Sequence, residues 1–368
     1  MATRILLVIS SLNGGGAEIA VLRMLKAFNA QPNVSAHLIS LSQKNDYGDV
    51  DPRTVTMLPI ANSKSLDSIF KRGQVIGLLQ QKIAELEQQH GPFSVVFSHL
   101  EVTNAIVARM HFACPVFYVH HNSIQQELLC EKSRGPFKYF KFKQRLKALK
   151  DKDVICVSKG AAEEFTLPWL PVKSCRVIYN PFDADDIISQ SYQGDNPFPN
   201  RPYILHVARL GRAKRHDRLF EAFAQLAGPE ILVLLVKESR KLSKLIQRYG
   251  LQERVIVAGF QTNPYRYMRH ARCVVLSSDY EGLGNVMVES LLVETPFIAN
   301  DCPNGPKEIL GQWRPDWLAQ RGSADDLAQK LAKLLAEPKP SFEWPGAALF
   351  SPEHCVQSYL SLLTPSDQ

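Results

Sequence analysis

Residues 273–289 read CVVLSSDYEGLGNVMVE, and this stretch decides the predicted fold. Its first four residues form an apolar run that is typical of a strand buried on both faces of a parallel sheet. After it, Met287 and Leu291 recur at helical spacing. A turn that contains Gly282 and Gly284 joins the two segments. In an open α/β sheet, ligands bind at the carboxyl end of such a strand.

Two carboxylates flank this turn. The free N–H groups of residues 284–286 would open a helix, and the N-terminus of a helix attracts anions. Glu281 and Glu289 bracket that anion site. A carboxylate near a phosphate is better suited to hydroxyl groups, so we predict that the pair binds sugar and ribose hydroxyls. The alternative is an ordinary strand–turn–helix unit with solvated glutamates.

Outward from this stretch, apolar strands alternate with helical patterns along the whole chain. We expect strands at 4–9, 36–41, 94–98, 116–119, 154–157, 176–179, 203–207, 231–236, 255–258, 273–276 and 296–299. We expect helices near 17–28, 65–88, 102–111, from 161, and near 216–227, 239–249, 264–271, 324–336 and 352–363. Repeated units of this kind predict doubly wound parallel sheets.

A change of composition divides the chain in two. Residues 189–202 are rich in Pro, Asn, Gln and Gly, as domain linkers often are. The length of 368 residues also favours two domains. We therefore predict an α/β fold with two Rossmann-like doubly wound domains, residues 1–188 and 201–345, and a cleft between them.

Composition narrows the class of protein. With 45% hydrophobic and 21% charged residues, the chain resembles a soluble globular protein, and no apolar run approaches the ~20 residues of a membrane span. The apolar run at 5–9 is too short for a signal peptide. Seven cysteines without CxxC spacing argue against a zinc site or a disulfide framework and suggest a reducing compartment. A net charge of +7 suggests an anionic partner.

Three other loops carry candidate binding residues. Arg209 and Lys214 follow the strand at 203–207 and could clamp a diphosphate, or could be solvated surface cations. His121 ends a strand and could contact a sugar hydroxyl or carry a proton, or could be a buried structural histidine. Whether His120 or His121 faces the cleft is open. The loop 14–16 is a glycine turn of the phosphate-approach type, or a tight turn only.

A basic stretch, residues 131–152, combines nine cations and two acids with four aromatic residues. This combination suits an anionic membrane surface. It would also suit nucleic acid. A plain solvated helix face is the third possibility, and the clustered aromatics count against it.

Taken together, these residues resemble the retaining glycosyltransferases of family 4, which have the GT-B fold. The most specific match is EGLGNVMVE, which fits the family's E-x7-E motif at residues 281–289. The segments NPYRYM at 263–268 and DCPNGPKEIL at 301–310 are similar to the branch that builds bacterial lipopolysaccharide, capsule and lipid-linked oligosaccharides. The loop GGGAE at 14–18 is similar to the family's N-terminal GGAE loop.

The resemblance implies a role for each matching residue. Arg209 and Lys214 would hold the donor diphosphate. Glu281 would contact the donor sugar and Glu289 the ribose. The sugar and phosphates would also lie against the backbone of the turn, namely Gly282, Leu283, Gly284, Asn285 and Val286. Gly15 and Gly16 would let their loop approach the donor phosphates or the acceptor. His121 would contact the donor sugar, so Glu281 and His121 are the candidate catalytic residues.

The resemblance also implies how the chain is used. The helix at 352–363 would cross back to the first domain. No metal and no cofactor would be needed, because protein cations and helix dipoles would stabilise the leaving nucleoside diphosphate; the nucleotide-sugar is a co-substrate. One departure is VKES at 236–239, where the family often has a G-x-G turn near the nucleotide base, so the identity of the base is open.

We therefore expect a retaining hexosyltransferase that moves a sugar from a nucleotide donor, UDP-linked in our prediction, to a lipid-linked saccharide in lipopolysaccharide or cell-surface polysaccharide synthesis. It would act as a peripheral protein on the cytoplasmic face of the inner membrane, with residues 131–152 on the anionic lipid surface. No nucleic acid partner is expected. The alternatives are a nucleotide-sugar epimerase or hydrolase on the same fold, and a nucleic-acid-binding protein that uses the basic stretch.

Overall fold

The computed structural model describes residues 2–60, 66 and 71–364. The chain forms two compact units. The first unit comprises Met1–Pro181 together with Pro352–Gln368, and the second comprises Phe182–Ser351. Each unit is an α/β structure around one parallel sheet, so the predicted fold class is confirmed.

The first unit is built on a seven-stranded sheet in the order β3-β2-β1-β4-β5-β6-β7. All of its paired strands run parallel. The strands are β1 (Thr3–Ile9), β2 (Val34–Ser40), β3 (Val55–Met57), β4 (Val95–His99), β5 (Val116–His120), β6 (Asp153–Cys156) and β7 (Ser174–Val177). Continuous apolar runs form the central strands because both faces of the sheet are covered, and Ile5–Ile9 are fully buried.

Among the residues that the structure describes, seven α-helices belong to the first unit. They are α1 (Gly16–Asn29), α2 (Arg72–His90), α3 (Glu101–Val107), α4 (Ile124–Ser133), α5 (Pro136–Leu146), α6 (Lys159–Glu163) and the distant α14 (Pro352–Leu360). The last of these returns to the first unit because its apolar face packs on α1 and the sheet. Tyr359 is buried there, with its ring centroid 5.8 Å from that of Phe28 and 4.8 Å from that of Phe97.

The second unit contains a six-stranded parallel sheet in the order β10-β9-β8-β11-β12-β13. The strands are β8 (Tyr203–Val207), β9 (Ile231–Leu235), β10 (Val255–Val257), β11 (Cys273–Leu276), β12 (Phe297–Asn300) and β13 (Leu318–Ala319). Its helices are α7 (Ala184–Ser191), α8 (His216–Ala224), α9 (Arg240–Arg248), α10 (Tyr265–His270), α11 (Asn285–Leu292), α12 (Pro306–Leu310) and α13 (Ala324–Ala336). The strand order reverses between β8 and β11, which are direct neighbours. Ligands of open α/β sheets bind at such a reversal.

The structure departs from the sequence expectations at several places. Every predicted strand is present, but the short β3 and β13 and the helices α4, α5, α7 and α12 were not predicted. The boundary between the units follows Pro181 and not residue 188, because α7 packs against α10 and α11 of the second unit. Of the helix expected near 65–88, positions 65 and 67–70 lie outside the described residues.

Among the helices of residues 2–60, 66 and 71–364, none combines the length and the apolar character needed to cross a bilayer.

Candidate active site

Two loops of the second unit meet at the carboxyl ends of β8 and β11. Because these strands are parallel neighbours, with Leu205 opposite Val274, the loops that follow them emerge side by side. The Asp279 N–H donates to the carbonyl of Ala213 over 2.7 Å. The Ser277 hydroxyl donates to the carbonyl of Lys214, also over 2.7 Å. Residues 208–215 and 277–284 therefore form one hydrogen-bonded surface at the switch point of the sheet.

Lys214 and Glu281 form an ion pair on this surface. The Lys214 Nζ lies 2.6 Å from Glu281 Oε1 and 2.7 Å from Oε2. The Ser278 hydroxyl donates to the same Oε1 over 2.6 Å. The Glu281 side chain is only 8% exposed, whereas that of Lys214 is 30% exposed. The structure thus joins a residue expected at the diphosphate to a residue expected at the sugar, and the lysine side remains open to solvent.

A second set of charges, which the sequence analysis missed, supports the same loops. Asp279 accepts from Arg218 Nη2 over 2.6 Å and from Arg215 Nη1 over 3.2 Å. The buried Arg218 also donates to the carbonyl of Ser277 over 2.9 Å. Arg215 reaches Asp217 as well and keeps the pKa of that carboxyl below its ordinary value. The contacts of Arg215 and Arg218 with residues 277 and 279 join positions about 60 apart, so no local sequence signal marks them.

The backbone of the glycine turn is held by the loop after β12. Gly284 has a φ of +85°, which L side chains rarely adopt, and α11 begins directly after it. Gly305 has a φ of +83°, and a Cβ at that position would lie 2.0 Å from the carbonyl oxygen of Leu283. The Glu281 N–H donates to the carbonyl of Pro303 over 3.3 Å. The turn and the loop 301–305 therefore pack backbone against backbone.

The other predicted donor residues lie around this surface. Arg209 is exposed in the loop after β8, and Glu289 is buried in α11, eight positions beyond Glu281. In segment 236–239, which departs from the family's G-x-G pattern, the Ser239 hydroxyl accepts from the N–H of Leu242 over 3.3 Å and caps α9. That segment is thus the start of a helix and needs no glycine to begin it.

The first unit carries the predicted histidines at the carboxyl end of β5. His121 and His99 are buried, and their ring nitrogens Nε2 and Nδ1 lie 3.1 Å apart, so one imidazole donates to the other. Burial lowers the pKa of His121 to about 3. His120 is fully buried, and its ring packs edge-on against Phe165. Neither histidine is a solvated surface residue.

The glycine loop lies after β1, an interior strand of the first sheet. Gly15 precedes α1 in an extended conformation, and its carbonyl accepts from the Tyr47 hydroxyl over 2.7 Å. Gly16 is the first residue of α1. The predicted phosphate-approach turn is thus a loop that runs directly into a helix N-terminus without a side-chain cap.

Among the described residues, one group could hold a metal ion. Glu101, His120 and Glu127 each offer one ligand atom, and these atoms lie within 4.8 Å of one another. The Asn122 amide donates to Glu127 Oε1 over 2.8 Å. Burial and the neighbouring Glu101 raise the pKa of Glu127 well above its ordinary value.

Comparison with known proteins agrees with this architecture. Residues 190–344 match the family model described as "Glycosyl transferases group 1". One similar protein is the N-acetylgalactosamine-N,N'-diacetylbacillosaminyl-diphospho-undecaprenol 4-alpha-N-acetylgalactosaminyltransferase of Campylobacter jejuni, which is 27% identical over 90% of each chain. Another is the lipopolysaccharide 1,6-galactosyltransferase of Salmonella typhimurium, 24% identical over 50% of this chain and 52% of that protein.

Solved structures show the same fold. A sucrose-phosphate synthase from Thermosynechococcus elongatus superimposes with a TM-score of 0.75 at 18% identity, covering 98% of both chains. Anabaena HepE in complex with UDP and glucose gives a TM-score of 0.73 at 18% identity, covering 98% of this chain and 99% of that one. The two Rossmann-like units therefore have the fold of these solved structures. Residues 190–344, which carry the charged loops at the switch point, are similar to the group 1 glycosyl transferases.

Proposed function

We propose that the protein is a retaining hexosyltransferase of family 4. It transfers a sugar from a nucleotide donor, UDP-linked in this proposal, to a lipid-linked saccharide in the synthesis of lipopolysaccharide or another cell-surface polysaccharide. The observation that carries the proposal is the Lys214–Glu281 ion pair at the switch point of the second sheet. The named substrates of the relatives, a diphospho-undecaprenol glycan and a lipopolysaccharide, support a lipid-linked acceptor.

The chemistry needs a place for the negative charge of the departing diphosphate. Lys214 and Arg209 would bind that charge, and the N-terminus of α11 would add its dipole. Glu281 would accept hydroxyl groups of the donor sugar, Glu289 would bind the ribose, and the backbone of residues 282–286 would line the site. We assign no nucleophile, because hydrolase-type carboxylates must flank the scissile bond at set separations.

In this proposal the protein's cations replace a catalytic metal at the diphosphate, and no cofactor is required. Gly15, Gly16 and His121 of the first unit would contact the donor or the acceptor.

Nucleotide binding tests the donor site. Wild-type protein and Lys214→Met are melted with UDP, GDP and ADP. A nucleoside diphosphate at about 100 times its Kd should raise the free energy of unfolding of wild type by about 2.7 kcal/mol. UDP should give the largest shift, and Lys214→Met should lose most of it. If no nucleoside diphosphate shifts wild-type melting at millimolar concentration, the donor site is wrongly placed.

Product analysis separates transfer from the alternatives on the same fold. Labelled UDP-sugar is incubated with and without a lipid-linked saccharide acceptor. A transferase should place the label on the acceptor with the anomeric configuration retained. Free sugar released at the same rate without acceptor would favour a hydrolase, and an altered UDP-sugar would favour an epimerase.

We further propose that residues 131–152 rest on an anionic lipid surface at the cytoplasmic face of the inner membrane. Large apolar side chains are exposed in and beside this stretch: Phe137 is 79% exposed and Phe140 60%, and Leu129, two residues before the stretch, is 59% exposed. On the opposite face of α5, Phe142 and Leu146 are buried in the core. The exposed aromatics lie among lysines, and this combination fits headgroups and acyl chains of an anionic bilayer.

Vesicle binding tests this surface. Lys132, Lys138, Lys147 and Lys150 are exposed and can be replaced together with Gln. Each cation near an anionic surface contributes about 1 kcal/mol, so the variant should sediment much less with anionic vesicles and should keep its UDP affinity. The matched control replaces four exposed cations of α9, a helix with no exposed aromatic residue: Arg240, Lys241, Lys244 and Arg248.

Added salt should also reduce the sedimentation of wild type with anionic vesicles, because the attraction between the cations and the lipid surface fades beyond a Debye length. Equal sedimentation of the two variants would contradict the proposal. Binding of wild type to single-stranded nucleic acid but not to vesicles would favour a polynucleotide partner.

A further inference from the structure

Three side chains of the first unit converge at the carboxyl ends of two neighbouring strands. β4 and β5 are parallel, with His99 opposite Val119. Glu101 begins the helix that follows β4, and His120 is the last residue of β5. Glu127 lies in the first turn of α4, which follows β5. His120 Nε2 is 3.9 Å from Glu101 Oε1, and one ligand atom of each residue lies within 4.8 Å of the other two.

Several polar atoms of these side chains are buried without a hydrogen-bond partner among the described residues. They are Glu101 Oε1, His120 Nδ1 and Nε2, and Glu127 Oε2. His120 is completely buried, so water does not satisfy it from the surface. Unpaired buried polar atoms are rare and unfavourable in folded proteins. Their concentration at one point indicates a common partner that binds both carboxylate oxygens and an imidazole nitrogen.

The surroundings orient these groups toward one another. The Asn122 amide donates a hydrogen bond to Glu127 Oε1 over 2.8 Å, and Glu127 Oε2 is the oxygen without a partner among the described residues. The Phe165 ring packs edge-on against His120 with 5.5 Å between ring centroids and fixes the plane of the imidazole. Hydrogen-bonded carboxylates and immobilised imidazoles are typical of metal ligands supported by their surroundings.

We propose that Glu101, His120 and Glu127 bind one divalent transition-metal cation, of the Zn²⁺ or Mn²⁺ type. One imidazole nitrogen and two carboxylate oxygens suit these ions, and the charges of the two carboxylates balance the ion. Metal–ligand bonds of about 2.0–2.2 Å require only small side-chain movements from the present separations. Three protein ligands leave one position open for water or an anionic group.

The proposed metal site and the proposed diphosphate site are built from residues of different units. The ligands belong to the first unit, whereas Lys214 and Glu281 belong to the second. The metal would fix His120, the neighbour of His121, and would thereby stabilise the loop after β5. The inference rests on the first sheet and does not depend on the proposed transferase activity.

Direct metal binding tests the proposal. Tag-free protein is treated with a chelator, dialysed and titrated with Zn²⁺ in a calorimeter at pH 7, and metal content is measured after gel filtration. Mn²⁺ binding is followed by paramagnetic resonance, and Mg²⁺ serves as the oxygen-preferring control. We expect one equivalent of Zn²⁺ per chain, and weaker Mn²⁺ binding at the same site.

Two isosteric variants identify the ligands. Glu101→Gln and Glu127→Gln should each weaken Zn²⁺ binding by at least 10-fold, whereas Glu131→Gln on the same helix should not. Gln keeps the shape of Glu and removes its charge, so these variants should fold, and circular dichroism checks this. His120→Asn is a further ligand variant. Zn²⁺ should also raise the melting temperature of wild type and Glu131→Gln only. Absence of stoichiometric Zn²⁺ or Mn²⁺, or equal affinity in all variants, would overturn the proposal and leave a proton shared by the two carboxyls as the partner.

Discussion

At the scale of single residues, the ion pair of Lys214 and Glu281 organises the candidate donor site. Glu281 accepts from both Lys214 and the Ser278 hydroxyl, so its carboxylate is held in one orientation before any substrate arrives. Lys214 is partly exposed, so in the proposed donor complex it would exchange one carboxylate contact for a phosphate oxygen. Such preorganised charges stabilise developing charge without further rearrangement.

The two glutamates should have different roles. Glu281→Gln would remove the proposed charged hydrogen bond to the sugar and should reduce turnover by about 10–150-fold, which corresponds to about 1.5–3 kcal/mol. Its UDP affinity should be kept or raised, because Lys214 loses its competing carboxylate. Glu289→Gln should instead weaken UDP binding by about 1–3 kcal/mol. Calorimetric UDP titration and initial rates measure the difference, and an equal loss of UDP affinity in both variants would refute it.

Two buried histidines should make the second unit sensitive to acid. Burial lowers the pKa of His206 to about 4 and that of His216 to about 3, with Lys214 and Lys241 adding repulsion at His216 and Asp217 opposing it. The unfolded chain binds protons near pH 6.5, so the stability present above that pH is lost as pH falls toward 4.

At pH 5 the loss should be about 2 kcal/mol for each of these histidines. Urea unfolding at pH 7.5, 6 and 5 measures it. His216→Gln should flatten the pH dependence of the free energy of unfolding, while His111→Gln at an exposed position should leave it unchanged. The same slope in both variants would show that other groups cause the acid sensitivity.

At the scale of elements, the glycine turn depends on its contact with the loop after β12. Gly305→Ala would introduce a Cβ 2.0 Å from the Leu283 carbonyl in a left-handed conformation. We expect a loss of about 1–3 kcal/mol in stability and a clear loss of UDP affinity, because the turn must move. Gly250→Ala is the matched control: its φ is +65°, but nothing lies within 4 Å of the added atom. UDP titration and urea unfolding are measured for both variants. Gly250→Ala shows the effect of backbone strain alone, and Gly305→Ala shows strain together with displacement of the turn.

The sequence predicted most of the strands and helices, and those that it did not predict share physical features. Continuous apolar runs such as 231–235 identified the buried strands, and glycines beside Glu281 marked the turn. The edge strand β3 and the two-residue β13 are too short for any periodicity to reveal them. Helix α5 was missed because exposed aromatics interrupt its amphipathic pattern. The contacts of Arg218 with Asp279 depend on tertiary packing, which no local pattern encodes.

At the scale of the whole molecule, the first unit is assembled from two distant parts of the chain. Helix α14 adds Cys355, Val356 and Tyr359 to its core. The Tyr359 ring packs edge-on against the rings of both Phe28 and Phe97. The last helix is therefore an integral part of the first core.

Removing the buried ring should measure this contribution. Tyr359→Ala should lower the stability of the first unit by about 3–5 kcal/mol through lost burial and a residual cavity. Gln357→Ala, exposed on the same helix, should change it little. Hydrogen exchange of Tyr359→Ala should show reduced amide protection in β1 and β4 of the first sheet and unchanged protection in β8 and β11 of the second. Uniform loss across both sheets would contradict this assignment.

The discontinuous first unit also imposes an order on biosynthesis. Translation at about 5–20 residues per second takes roughly 10–30 s to add residues 182–351, which separate the two parts of that unit. During this interval the nascent chain already contains all seven strands of the first sheet, but the rings of Phe28 and Phe97 lack the helix that covers them. The first unit, although its strands are synthesised first, is completed only when α14 has been added.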